Sequence, residues 1–185
     1  MKSLRAFSFA TLLLLPGFAS AQDVWAKNDG YLKSAINECT TAGAERTVCR
    51  NFTGEALNRL FGIGDFCTDS RCKLAVEIEW EIRNSPGKWA ALGAANDQAV
   101  LDKARELAAT RAVVAILKED DRGQIAIVMP GAAIASGRWG LKVPIGVGAR
   151  VDRPEASVYA KGLNWLFTDP AKVVVAPVGV EVSAG

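Results

Sequence analysis

The 185-residue sequence contains no histidine. That absence removes the side chain most often used as a general base near neutral pH, and also the commonest zinc ligand. Long apolar runs are missing too. The longest, Ala6 to Leu15, is about ten residues, half of the roughly twenty that a membrane-spanning helix needs. Charge of one sign is not in excess either: 22 Lys and Arg face 20 Asp and Glu, a formal charge of +2. No Gly-rich phosphate loop and no metal-ligand cluster is present, so no cofactor and no metal is expected. Internal repeats, low-complexity tracts and Pro- or Ser-rich linkers are also lacking, which predicts one domain.

What is present begins with an export signal. Lys2 and Arg5 form a positive start, Ala6 to Leu15 an apolar stretch, and Pro16-Gly17 a helix break. Ala19-Ser20-Ala21 then supplies an A-x-A processing site. Residues 1–21 are therefore read as a signal peptide and 22–185 as a single mature domain, periplasmic or secreted, with no membrane span after cleavage. Lys2 and Arg5 leave with the signal, so the basic and acidic residues of the mature chain are equal in number. That balance argues against nucleic acid or anionic lipid as the partner.

Four cysteines, Cys39, Cys49, Cys67 and Cys72, lie in the first half of the mature chain. An even count in an exported protein points to disulfides. Four cysteines allow three pairings. The short loop Cys67 to Cys72 is the easiest to close, which would leave Cys39 with Cys49. The lack of histidine and of a repeated C-x2-C argues against zinc.

Helical periodicity covers Tyr31 to about Thr41, through Leu32, Ala35, Ile36 and Cys39, and Val48 to Phe61, ended by Gly62-Ile63-Gly64. Leu74 to Ile82 supports two readings. Val76, Ile78, Trp80 and Ile82 alternate like a strand, whereas Leu74, Ile78 and Ile82 are four apart as in a helix. Asn96 or Asp97 caps a further helix with Val100, Leu101, Ala104, Leu107 and Ala108 on its buried stripe. Ala112–Leu117 and Gln124–Met129 read as strands joined through the polar turn 118–123, a hairpin. Val173–Ala176 reads as a last strand. Helices first and strands afterwards predict an α+β fold.

This order resembles the papain-like cell-wall cysteine amidases of the NlpC/CHAP type, and within them the amidase effectors of type VI secretion. The likeness runs from Cys49 to about Trp139. Cys49-Arg-Asn-Phe52 stands where a nucleophilic cysteine opens the catalytic helix, and Lys88-Trp-Ala-Ala-Leu92 precedes the next helix. Gly123-Gln-Ile-Ala-Ile-Val-Met-Pro-Gly131 stands where a strand carries the catalytic histidine. The resemblance implies N-terminal helices on a small antiparallel sheet, a helix at Leu74–Ile82, and Cys49 and Gln124 in one cleft.

Amide hydrolysis by a thiolate needs a base that takes the thiol proton and returns it to the leaving amine. Here Gln124 occupies the histidine position, and a carboxamide cannot titrate near neutral pH. Asp120 and Asp121 in the adjacent turn read as solvated loop charges. Cys49 has two readings, a free nucleophile or half of a disulfide that completes the even set. Ser136-Gly-Arg-Trp-Gly140 forms a tight loop, with Ser136 and Trp139 as binding candidates, although tryptophans more often anchor cores. Tyr159, Leu163 and Trp165–Phe167 are assigned to the core. Arg150, Asp152, Arg153 and Glu155 are assigned to a solvated surface run. The functional expectation is an exported, non-catalytic amidase-like domain that binds peptidoglycan, an exported glycan or a periplasmic protein. Its alternative is an active cysteine amidase with an unusual base.

Overall fold

A computed structural model of the chain describes residues 21–41, 47–86, 88–118 and 123–179. The signal segment up to Ser20 and the acidic turn with Asp120 and Asp121 lie outside the described residues. Helix α1 spans Ala21–Thr40, ten residues more at its start than the Tyr31–Thr41 periodicity implies. The added turns bury Trp25 and carry Asn28 on the same stripe as Leu32 and Ile36. A polar residue on the apolar face hides the pattern. Asn28 is satisfied there, since its amide donates to the Val24 carbonyl (2.9 Å) and its oxygen accepts from Arg59 (3.1 Å).

Helix α2 spans Thr47–Phe61 and packs on α1. It stops at Gly62, whose φ of +67° suits glycine and whose N–H bonds the Asn58 carbonyl at 2.7 Å. Tyr31 clasps the two helices: its hydroxyl donates to Glu55 (3.3 Å) and the Arg59 guanidinium lies 4.3 Å from its ring centroid. Tyr159 also bonds Asp29 of α1. Leu74–Ile82 resolves as helix: α3 spans Ala75–Asn84. Glu77 accepts the Leu74 N–H (2.7 Å) and a two-pronged bond from Arg71 (3.0 and 3.1 Å), so the helix start is satisfied. Helix α4, Gln98–Ala108, is capped by Asp97, which accepts the Ala99 N–H at 2.8 Å.

The main sheet is antiparallel throughout. Its strands are β1 (Gly93–Ala94), β2 (Val113–Leu117), β3 (Ile125–Val128), β6 (Ile145–Gly148), β7 (Val158–Gly162) and β8 (Val173–Pro177). They are ordered β1-β8-β2-β3-β6-β7. A separate hairpin pairs β4 (Ile134–Ser136) with β5 (Leu141–Val143). The class is α+β, and the β2–β3 hairpin pairs Ala115 with Ala126.

Both faces of the sheet are covered at its centre, which is why β2 and β3 are apolar at every position rather than at every second one. Val114, Ile116, Ile125 and Ile127 face a cluster built with α1, α2 and α3 around Leu32, Phe52 and Ile78. Val113, Ala115, Ala126 and Val128 face a second cluster with Leu101, Leu163, Leu166 and Phe167. β6 is hidden from sequence reading by Gly146 and Gly148, which look like loop residues. A Cβ at Gly146 would lie 2.9 Å from Leu163, and one at Gly148 would lie 2.7 Å from Leu166. The glycines let the Leu163–Trp165 turn settle on the strand.

Candidate functional site

Cys49 is the third residue of α2 and is buried. It is bonded to Cys39 at the end of α1, with Cα atoms 5.2 Å apart. Cys67 and Cys72 form the second bridge and close a short loop before α3. No cysteine is free. The helix start that would lower a thiol pKa therefore holds no thiol, and a disulfide sulfur is no thiolate nucleophile. The helix does pack on the hairpin as the resemblance implies, since Cys49 and Phe52 share a cluster with Ile125 and Ile127.

Gln124 makes its bond to the backbone of Leu166 rather than to the Cys39–Cys49 bridge. Side chains alternate across a strand, so Gln124 falls in phase with Ala126 and Val128, on the face away from α2. Its buried carboxamide donates to the Leu166 carbonyl at 2.6 Å. Just before it, Gly123 (φ +63°) presses against the start of α3, where a Cβ would sit 2.1 Å from the Val76 nitrogen. The strand's period of two sets Gln124 on the opposite face from Ile125 and Ile127, which share a cluster with Cys49.

The corner beyond Gln124 is closed by a charge pair that sequence reading placed on the surface. Arg150 and Asp152 are largely buried, their side chains 11% and 17% exposed. Arg150 grips Asp152 with two bonds (3.0 and 2.6 Å) and reaches the same Leu166 carbonyl at 3.5 Å. Its N–H donates to the Ser157 hydroxyl (2.9 Å), which lies 3.6 Å from the Cys39 sulfur. Burial followed because β6 ends at Gly148 and leads Arg150 under the Leu163–Trp165 turn, whereas Arg153 and Glu155 are exposed as expected. Here each polar group is satisfied by the protein.

Ser136 and Trp139 do lie together, at the tip of the β4–β5 hairpin. Both are buried, and the Ser136 hydroxyl accepts the Trp139 N–H at 3.2 Å. The indole belongs to the second core cluster and is not presented to solvent. The hairpin forms one wall of an open groove whose other wall is α4. Gln98 joins the walls by accepting the Lys142 N–H (2.9 Å) and donating to the Lys142 carbonyl (3.0 Å).

Trp165, assigned to the core from its apolar neighbours, is instead 64% exposed. The signal was readable: Leu163, Leu166 and Phe167 stand at i, i+3 and i+4, the buried side of one helical turn, and Trp165 falls opposite. No protein-family model matches the chain, and a search of curated proteins returns no match.

Proposed function

We propose that this chain is an exported, non-catalytic domain, amidase-like in its order of elements, that binds a cell-wall or exported glycan. One observation carries the non-catalytic part: Cys49 is tied to Cys39 while Gln124 faces the opposite side of the sheet. Nucleophile and base act as a unit, and losing one member removes most of the acceleration. Here both are out of play, and the whole chain has no histidine to replace the base. The two disulfides and the lack, among the described residues, of a helix long and apolar enough to cross a membrane are compatible with export.

The test uses the mature protein and purified sacculi. Amide hydrolysis is measured as new amino groups, and binding by co-sedimentation. The expected result is co-sedimentation without hydrolysis, unchanged in Cys49→Ala and in Gln124→His. Hydrolysis by the natural protein that disappears in Cys49→Ala would falsify the non-catalytic reading. Absence of sedimentation would remove the cell wall as the ligand.

A further inference from the structure

Exposed apolar side chains are common and need no explanation singly. Trp165 is not single. The Lys161 ammonium lies 4.8 Å from its ring centroid, and Arg138 reaches across from the β4–β5 turn to donate to the Asn164 carbonyl at 3.3 Å. Lys161 and Arg138 are both exposed, and neither has a carboxylate partner among the described residues. Other exposed cations, such as Arg105, Lys142 and Lys172, also form no ion pair among the described residues, but Lys161 and Arg138 are the two that converge on the segment carrying an exposed indole.

The backbone beneath them is strained. Ala160, next to Lys161, has φ +51°, the only left-handed non-glycine among the described residues. It lies where the β6–β7 register is interrupted, between the partners of Gly146 and Gly148. A bulge of this kind re-aims the side chain that follows it. Strain of this kind clusters at binding sites, where surrounding structure holds it.

We propose that Trp165, Lys161 and Arg138 form a binding site for a carboxylate-bearing glycan. The proposal rests on the glycan-binding reading above and names its surface and ligand class. An exposed indole offers the flat apolar face on which the C–H face of a sugar ring stacks, and the two cations take carboxylates along the chain. Nucleic acid is the weaker fit, because its affinity is built from many phosphate contacts and this patch offers two cations on a chain without net basic charge once Lys2 and Arg5 are gone.

The probe is oligogalacturonate, titrated calorimetrically into the mature protein beside a neutral cello-oligosaccharide of equal length. The natural protein should bind the acidic sugar about tenfold more tightly at low salt, with the difference shrinking as salt rises. Trp165→Ala should weaken binding of the acidic sugar by about tenfold, and Trp165→Phe by less, since it keeps a ring. Lys161→Gln with Arg138→Gln should abolish the preference for the acidic sugar. An unchanged affinity in Trp165→Ala, a preference for the neutral sugar, or equal binding of single-stranded DNA would overturn the proposal. Sacculi separate the two readings. If the natural protein and Trp165→Ala sediment alike, the patch is wrong and the cell-wall reading stands. If neither sediments while oligogalacturonate binds at Trp165, the patch stands and the cell wall is the wrong glycan.

Discussion

Two regions of this domain handle polar chemistry in opposite ways. In the corner around Cys39, Cys49, Gln124 and Arg150, the groups are buried and each is satisfied by a neighbour. On the surface around Trp165, an indole and two cations face solvent, and the cations have no carboxylate partner among the described residues. The corner is where the resemblance to cysteine amidases directs attention, and its polar groups are held by one another. Closure of a site by its own side chains favours stability over chemistry. Changes in the corner should therefore damage folding and leave binding alone, and changes at Trp165 should do the reverse.

The largest effect is expected beside Gln124. Gly123→Ala places a methyl 2.1 Å from the Val76 backbone nitrogen at a φ of +63°. The atoms met are backbone of the first turn of α3, not the end of a flexible side chain. A loss of about 3 kcal/mol or more is expected in urea unfolding, as for severe overpacking. A loss below about 1 kcal/mol would show that the corner is looser than described.

Opening the corner bridge comes next. Cys39→Ala with Cys49→Ala releases a constraint between residues ten apart, for a cost of about 2–3 kcal/mol. The double variant should remain without hydrolytic activity and should bind oligogalacturonate as before. A fall in affinity would show that the bridge is felt at Trp165, whose neighbour Leu166 accepts from both Gln124 and Arg150.

A smaller effect concerns alkaline pH. Burial, then the Glu55 carboxylate beside it, pushes the Tyr31 hydroxyl up to about 12. Burial, then its bond to Asp29, pushes Tyr159 up to about 12 as well. The unfolded chain releases these protons near pH 10. Their contribution is therefore fully present below pH 10 and is lost as pH rises from 10 through about 12. Thermal unfolding across that window should show a fall that flattens in Tyr31→Phe with Tyr159→Phe. An equally steep fall in the double variant would place the alkaline sensitivity elsewhere.

The smallest expected change in stability is at Trp165. Trp165→Ala removes an exposed side chain and should shift stability by less than about 0.5 kcal/mol. A larger loss would mean that the indole works as a core anchor after all.

Much of the helical half was legible because its signals are local. The α2 stripe, the glycine stop at Gly62 and the Asp97 cap each depend on residues within one or two turns. The start of α1 was not legible, because Asn28 interrupts the stripe and its side-chain oxygen finds its partner in Arg59, thirty-one residues away. Strands β6 and β7 were missed for a related reason. Gly146 and Gly148 make room for leucines that arrive later in the chain, and Ala160 departs from strand geometry.

From the sequence alone follow the lack of a histidine base, the even cysteine set, the signal pattern and the α+β order of elements. None of these needs a distant neighbour to be read. The tertiary structure decided which face Gln124 takes, that Arg150 and Asp152 go inside, and that Trp165 stays out. Those outcomes turn on what packs against each strand face, and that is set by segments far apart in the chain.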